Sequence, residues 1–259
     1  MAITDLINQG LDSERLFKAA WTLHQFKISQ LQAQKGETSI QSGLFKGTIL
    51  NPESFSSQFM PKYIGTYERE VQNHLASIET QFDGFLNIGC ADGFYLACIA
   101  RWLRIPCIGV DIDPRSDTAV SFVSQANGVS DLVSFNFSID KAVQRLSGSI
   151  LILIDVDGAE SKVLSELLES LSKNHLVKHA HLILETDQKA DGDKMNQSEL
   201  IHDLCAQHWS IDSLLNQDPT QRFLPQLSQL SFLDQVALAA EGRMGGQSWI
   251  VAIKTYNLE

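Results

Sequence analysis

The sequence has no apolar run long enough to cross a membrane. Its apolar runs, such as residues 150–154, have the length of a strand, whereas a membrane-spanning helix needs about 20 apolar residues. The first ten residues also lack the basic stretch and apolar core of a secretory signal. The four cysteines show no Cys-x-x-Cys pairing, so we expect reduced thiols. Together these absences favour a cytoplasmic protein with no membrane partner.

Positive charge and several catalytic signatures are also scarce. The 20 Lys and Arg residues face 31 Asp and Glu residues, which gives a formal net charge of −11. Because affinity for nucleic acid depends on clustered basic residues, a nucleic-acid partner is disfavoured. The chain has no Gly-x-Ser-x-Gly elbow and no P-loop, so acyl and phosphoryl transfer have no support. His202 and His208 are six positions apart, which disfavours a helical zinc pair.

The first 83 residues are interpreted as a helical and loop-rich extension. Leu16, Ala19, Leu23 and Phe26 form one helical stripe, which either docks on the rest of the chain or forms a homodimer. Residues 36–62 are rich in Gly, Ser, Asn and Pro but also carry aromatic residues, so we expect an ordered cover rather than a disordered linker. A helix is expected to begin near Thr66 as its N-cap.

Residues 84–259 alternate between strand-like and helical patterns and are interpreted as the main domain. Apolar runs at 85–90, 107–112, 132–137, 150–156, 181–186 and 249–254 indicate strands, and helices are expected near 93–103, 115–126, 139–146, 159–173, 197–208 and 226–240. Nearly continuous apolar strands are typical of a parallel sheet covered on both faces. The pattern therefore predicts a doubly wound α/β domain with a mostly parallel sheet.

The turn after the first strand is the expected ligand site, because ligands of such sheets bind at the carboxyl ends of the strands. A dinucleotide fingerprint needs small residues at positions 89, 91 and 94, but position 94 is Phe. Gly89 and Gly93 instead favour a nucleoside without a pyrophosphate. A nicotinamide-dependent oxidoreductase is disfavoured for the same reason.

An acidic residue follows the second strand about 20 positions after the glycine turn. The carboxylate of Asp111 has acceptor sites on both oxygens and can bind both hydroxyls of a ribose. Asp113 precedes Pro114, so the start of a helix explains it at least as well.

These residues resemble the S-adenosylmethionine-binding core of class I methyltransferases. The run ILILIDVDGAE at 150–160, followed by HLILE at 181–185, resembles the FkbM-like subgroup, whose members methylate hydroxyl groups of sugars and secondary metabolites. The resemblance implies a seven-stranded Rossmann-like fold and S-adenosyl-L-methionine as cofactor. The implied cofactor-binding residues are Asn87, Gly89, Cys90, Ala91, Asp92, Gly93, Asp111, Ile112 and Asp113. Asn87 stands where class I methyltransferases usually have an acid, and Asp157 stands where the FkbM-like subgroup usually has Glu.

Acidic residues near the ends of the fourth and fifth strands are the catalytic candidates. Asp155 and Glu185 each end an apolar run, where an acid is costly unless it is paired or functional. They are expected to orient or deprotonate the acceptor, with Asp157 as a third candidate. Asp157 and Glu160 also have the spacing of a capping box. A Mg²⁺ ion held by Asp155, Asp157 and Glu185 is possible but not favoured, and no metal ligand is assigned.

Four further residues are expected to contact the acceptor: Tyr67, Glu68, Glu160 and Arg243. The predicted function is methyl transfer, directed at oxygen, to a small molecule or glycan. The alternative is a nucleoside- or S-adenosylmethionine-binding module of the same fold that does not catalyse a reaction.

Overall fold

The computed structural model describes residues 38–53, 55, 59–187, 197–222, 235, 241 and 246–256. The helical stripe between Leu16 and Phe26, the helix expected near 226–240 and Arg243 lie outside the described residues. None of the helices in the described ranges combines the length and apolar character that crossing a membrane requires.

Alternating strands and helices begin at residue 84, as the sequence predicts. The strands are β1 (Gly84–Ile88), β2 (Cys107–Val110), β3 (Val133–Asn136), β4 (Gly148–Ile154), β5 (Val177–Asp187), β6 (Ser210–Asn216) and β7 (Gln247–Thr255). The helices are α1 (Phe59–Ile64), α2 (Arg69–Ser77), α3 (Phe94–Leu103), α4 (Arg115–Ala126), α5 (Ile139–Val143), α6 (Glu160–Lys173) and α7 (Gln197–Ala206). A 3₁₀ turn at Pro219–Arg222 follows β6.

The strands form one seven-stranded sheet with the order β3-β2-β1-β4-β5-β7-β6. Neighbouring strands from β3 to β5 are parallel, whereas β7 is antiparallel to both β5 and β6. The sheet is therefore mixed, with one reversed strand. The chain order reverses between β1 and β4, and this is where the sheet leaves room for a ligand.

Side chains of β4 alternate between two apolar layers, one on each face of the sheet. Leu151 and Leu153 point to a layer rich in aromatic residues, whereas Ile150, Ile152 and Ile154 point to a largely aliphatic layer. We call these the aromatic layer and the aliphatic layer. Helices α5, α6 and α7 cover the aliphatic layer, and α1, α2 and α3 cover the aromatic layer. Burial on both faces explains why β4 is apolar throughout.

One expectation for the segment before β1 is wrong. Residues 36–62, interpreted as loop-rich, are turns and irregular backbone over 38–53, and the short helix α1 begins at Phe59. The helix expected at Thr66 begins at Arg69, because Glu68 has φ 45° and ψ 53°, and this left-handed conformation cannot continue a right-handed helix. The N-cap is thus Glu68 rather than Thr66.

Several strands end earlier than the apolar runs that predict them. β1 ends at Ile88 rather than at residue 90, and β2 ends at Val110 rather than at residue 112. Cys90, Asp111 and Ile112 consequently lie in loops at the carboxyl edge of the sheet. Strand β5 is longer than expected, and residues 210–216 add the edge strand β6.

Candidate active site

A cleft of about 470 Å³ opens at the carboxyl ends of β1, β2, β3 and β4. Its walls come from the turn after β1, the loops after β2 and β3, and the start of α6. Its lining includes Phe55, Tyr67, Gly89, Ala91, Asp111, Ile112, Asp113, Arg115, Phe137, Ile139, Asp155, Asp157, Lys162 and Glu166. The volume is in the range of pockets for small ligands and cofactors.

The turn after β1 requires glycine at positions 89 and 93. Gly89 has φ +79°, and a Cβ atom there would overlap the backbone oxygen of Asp155. Gly93 has φ +78°, and its Cβ atom would lie 2.8 Å from Cγ2 of Val123. These glycines let the turn after β1 pack directly against the end of β4 and against α4, and the cleft has a backbone wall as a result.

Asp111 faces the cleft and also braces its glycine turn. Its Oδ2 accepts a hydrogen bond from the backbone N–H of Ala91 at 2.8 Å, and its Oδ1 accepts one from the N–H of Asp113 at 2.8 Å. A carboxylate oxygen has two acceptor sites, so each oxygen keeps one for a ligand hydroxyl.

Asp113 lies at the mouth of the cleft in an ion pair with Arg115. Nη2 of Arg115 is 2.5 Å from Oδ2, and the backbone N–H of Arg115 donates to Oδ1 at 2.9 Å. Hydrogen bonds from the Arg115 side chain and backbone lower the pKa of Asp113 below its usual value. Helix α4 begins at Arg115 with Pro114 rather than Asp113 as its N-cap, although Asp113 still accepts the bond from the first backbone N–H of the helix.

Large apolar side chains remain exposed around the cleft. Ile112 is 95% exposed and Phe137 is 60% exposed, and both line the cleft. Exposed apolar side chains in a cleft suit a flat, weakly polar group. Ile112 was assigned from the sequence, but Phe137 was not, although it ends the apolar run of β3 and so lies at the same edge of the sheet.

Asn87, Cys90 and Asp92 lie behind the cleft wall rather than on it. All three are buried, and Nδ2 of Asn87 is 3.5 Å from the carbonyl oxygen of Leu153. Oδ2 of Asp92 pairs with Nζ of Lys62 at 2.7 Å, inside the protein. Burial raises the pKa of Cys90 well above its usual value, so its thiol is neutral. The structure gives these residues a supporting position.

The ring of Phe94 does not block the cleft. It is buried in the aromatic layer and makes edge contacts with Phe45, Tyr67 and Tyr95. Nζ of Lys62 lies 5.1 Å from its centroid. Phe94 thus points away from the space that a nucleoside would need.

Three carboxylates meet beside the cleft: Glu68, Asp155 and Glu185. One oxygen of each lies within 4.8 Å of the others, and we call this group the carboxylate cluster. Asp155 follows β4 and lines the cleft, Glu185 lies on β5, and Glu68 precedes α2. The structure thus brings together the two main catalytic candidates and adds Glu68, which the sequence assigned to the acceptor.

Neighbouring side chains hold the carboxylate cluster in place. Oε2 of Glu68 accepts a hydrogen bond from the hydroxyl of Tyr95 at 2.6 Å, and its backbone N–H donates to Oε1 of Glu241 at 3.0 Å. Nε2 of Gln247 donates to Oε1 of Glu185. The left-handed backbone of Glu68 is strained for a residue other than glycine, and such strain concentrates at functional sites.

Asp157 and Glu160 do not form the expected capping box. Helix α6 begins at Glu160 with Ala159 as N-cap, and Asp157, with φ 42°, lies outside the helix. Glu160 is buried and accepts a hydrogen bond from the backbone N–H of Gly158 at 2.7 Å. Asp157 is exposed on the cleft wall and lies outside the carboxylate cluster.

Several cleft residues were not predicted from the sequence. Phe55 lies under the guanidinium of Arg115, with the ring centroid 4.4 Å from Cζ. Lys162 and Glu166 reach the cleft from the first turns of α6. Tyr67, which was assigned, lines the cleft as well. The sequence could have indicated Lys162 as a cleft residue, because it lies on a helix that begins at the carboxyl edge of the sheet.

Solved structures with the same architecture include methyltransferases. A precorrin-6y C5,15-methyltransferase from Geobacter metallireducens GS-15 matches with a TM-score of 0.51 at 10% identity, covering 80% of this chain and 94% of that one. The StiE O-MT segment matches with a TM-score of 0.51 at 13% identity, covering 76% and 77%. The [4+2]-cyclase SpnF matches with a TM-score of 0.51 at 11% identity, covering 93% and 96%.

No protein-family model matches the sequence, and the search of curated proteins gives no significant match. Identities of 10–13% establish a common fold and leave the reaction open. The chain has the seven-stranded, Rossmann-like fold of S-adenosylmethionine-dependent methyltransferases.

Proposed function

We propose that this protein is an S-adenosylmethionine-dependent methyltransferase of FkbM-like type that methylates a hydroxyl group of a small molecule or glycan. The observation that carries the proposal is that one cleft combines a glycine turn braced by Asp111 with a carboxylate cluster at its edge. Cytoplasmic location is part of the same proposal.

The cleft residues fit an adenosyl group. The free acceptor sites of Asp111 suit the two ribose hydroxyls. Ile112 and Phe137, exposed in the cleft, offer apolar surface to the base. The backbone at Gly89 carries no side chain, so the amino-acid part of the cofactor can pass close to it. The bound cofactor would supply a methyl group on a positively charged sulfur.

The carboxylate cluster fits the part of the reaction that the protein must perform. A hydroxyl acceptor has to lose its proton and be held in line with the methyl group. Asp155 is the member of the cluster that lines the cleft, so it is the residue we assign to accept the hydrogen bond, and then the proton, of the acceptor. Glu68 and Glu185 lie beside Asp155 and complete the acidic surroundings of the acceptor hydroxyl.

Calorimetric titration with S-adenosylmethionine and S-adenosylhomocysteine tests the cofactor assignment. We expect saturable binding by the wild-type chain and at least about tenfold weaker binding by Asp111→Asn, because an amide offers fewer acceptor sites to the ribose. Asp117→Asn is the matched control, since Asp117 is exposed on α4 and outside the cleft lining. Absence of binding to either ligand would remove the proposal.

Turnover against a panel of hydroxylated acceptors separates catalysis from binding. Formation of S-adenosylhomocysteine that depends on an acceptor would support the methyltransferase. Tight cofactor binding with no turnover across sugars, phenols and hydroxy acids would favour the non-catalytic binding module of the same fold.

A further inference from the structure

The spacing of the carboxylate cluster matches the coordination shell of a hard cation. Two oxygen ligands on opposite sides of an ion are separated by twice the bond length, which is about 4.2 Å for Mg²⁺ and about 5 Å for Ca²⁺. The oxygens of Glu68, Asp155 and Glu185 lie within 4.8 Å of one another. A single ion can therefore reach all three.

Glu68 supplies an independent observation. Its side chain is 1% exposed, and its Oε1 accepts no hydrogen bond from any residue that the structure describes, whereas Oε2 accepts one from Tyr95. Leaving a buried charged acceptor unsatisfied costs several kcal/mol, in order of magnitude. Oxygen atoms of this kind are satisfied by a donor or by a cation.

A second buried oxygen belongs to the amide that bonds Glu185. Nε2 of Gln247 donates to Glu185, and Oε1 of the same amide is buried and has no donor among the described residues. Gln247 is 2% exposed. The surroundings of Glu185 thus offer surplus acceptors, as those of Glu68 do.

The ligand geometry is already formed by the fold. Glu68 is fixed by the bond from Tyr95 and by the bond from its own N–H to Glu241. Glu185 is fixed within β5 and by Gln247. Asp155 directly follows β4, with its backbone N–H bonded to the carbonyl oxygen of Ile88 at 3.0 Å. Ligands on rigid elements lose little conformational entropy when an ion binds.

We propose that Glu68, Asp155 and Glu185 bind one divalent cation of the Mg²⁺ type. The ligand set contains only oxygen, which selects Mg²⁺, Mn²⁺ or Ca²⁺ over Zn²⁺. Asp155 lies on the cleft wall, so the ion faces the cleft. The role of the ion rests on the proposed function: when bound, it would hold the acceptor oxygen and lower the pKa of the acceptor hydroxyl. Asp155 would bind the ion through one oxygen and accept the proton on the other, and an acceptor with two neighbouring oxygens would suit the site best.

The site is tested by metal binding to the full chain after treatment with a chelator. We expect one equivalent of Mn²⁺ to bind in electron paramagnetic resonance titrations, Mg²⁺ to compete with it, and the melting temperature to rise by several degrees. Glu68→Gln, Asp155→Asn and Glu185→Gln should each weaken binding by at least about tenfold. Asp157→Asn is the matched control and should bind Mn²⁺ like the wild type, because its carboxylate lies outside the cluster.

The outcomes separate this inference from the proposed function. If S-adenosylhomocysteine binds in chelator but neither Mn²⁺, Mg²⁺ nor Ca²⁺ binds saturably at millimolar concentration, the cation site is wrong and the cofactor assignment survives. Mn²⁺ binding that Asp157→Asn abolishes and Glu68→Gln does not would also overturn the site. Circular dichroism of each variant shows whether it is folded, and Asp155→Asn, at a partly exposed position, tests the site even if Glu68→Gln fails to fold.

Discussion

The two layers that sandwich the sheet are built from different kinds of interaction. The aliphatic layer consists almost entirely of Ile, Leu, Val and Ala, packed by α5, α6 and α7. The aromatic layer contains Phe45, Tyr63, Phe94 and Tyr95 and adjoins buried charges on Lys62 and Arg222. Apolar packing is enough to hold regular helices on a sheet. The segment before β1 has irregular backbone, and directional ion pairs and hydrogen bonds fix its position.

The irregular segment supplies Glu68, so the aromatic layer also determines the geometry of the candidate site. Glu241 accepts from Glu68 and pairs with Arg222 at 2.6 Å, and Arg222 pairs with Glu70 at 2.6 Å. Contacts with Arg222 thus position the side chains of Glu70 and Glu241, and a contact with Tyr95 positions that of Glu68. The aliphatic layer has no such network among its described residues.

Breaking the Arg222 network should have the largest effect on stability. Arg222→Met leaves Glu70 and Glu241 buried without this cation, and we expect the free energy of unfolding to fall by about 3–5 kcal/mol. Ile152→Val, a small change in the aliphatic layer, should lower it by about 0.5–1.5 kcal/mol. Urea denaturation of both variants measures the difference.

A triple variant shows whether the charges or the packing matter. Arg222→Met with Glu70→Gln and Glu241→Gln removes the unpaired charges together with the cation. We expect it to recover much of the lost stability, because no buried ion remains unpaired. If Arg222→Met alone is as stable as Ile152→Val, buried ion pairs do not stabilise the aromatic side of the sheet more than apolar packing stabilises the aliphatic side.

Breaking the pair of Lys62 and Asp92 should have the second-largest effect on stability. Lys62→Met removes the cation beside Asp92 under the glycine turn, and we expect a loss of about 3 kcal/mol together with weaker binding of S-adenosylhomocysteine. A double-mutant cycle with Asp92→Asn isolates the pair, and the coupling energy should exceed about 1 kcal/mol. A coupling energy near zero would mean that the rings of Tyr67 and Phe94, rather than Asp92, hold the lysine.

Sequence patterns predicted the aliphatic side of this comparison better than the aromatic side. The apolar runs predicted every strand from β1 to β5, because a continuous apolar run indicates burial on both faces of the sheet. The convergence of Asp155 and Glu185 followed from the parallel order of β4 and β5. These features depend on local periodicity and on a sheet topology that a small number of general rules determines.

The rest depends on contacts between distant positions. Glu68 joins the cluster because its backbone is left-handed and its N–H meets Glu241, which is 173 positions away. No local pattern reveals either feature, and the helix start was therefore placed at Thr66. Lys62 is similar, because a lysine in a Gly- and Ser-rich segment is usually exposed, and its burial depends on contacts with the distant Asp92, Tyr67 and Phe94.

Histidines adjoining the aromatic layer should make stability depend on pH. Nε2 of His181 lies 3.0 Å from Nε2 of His74. Burial and, to a lesser degree, the neighbouring His74 lower the pKa of His181 to about 4, although Asp212 opposes the shift. A neutral group with a lowered pKa stabilises the fold fully above about pH 6.5 and loses this contribution as the pH falls towards 4.

The measurement is the free energy of unfolding between pH 7 and pH 5. We expect a decline with a slope of up to about 1.4 kcal/mol per pH unit for this one proton, and His181→Gln should flatten it. His202→Gln is the control, since His202 is exposed on α7. A decline of equal slope in His181→Gln would assign the pH dependence to other groups.

Breaking the exposed pair of Asp113 and Arg115 should have the smallest effect on stability. This pair tests whether burial gives the ion pairs of the aromatic layer their strength. Its 2.5 Å contact is shorter than the 2.7 Å contact of Lys62 and Asp92, so an argument from distance alone would rank it higher. Water and salt screen an exposed pair, however, and ordering the two side chains opposes its formation. We expect Asp113→Asn to leave the unfolding midpoint in urea unchanged within error, at low and at high salt. A loss of stability comparable to that of Lys62→Met would show that contact distance, rather than burial, distinguishes the ion pairs of this protein.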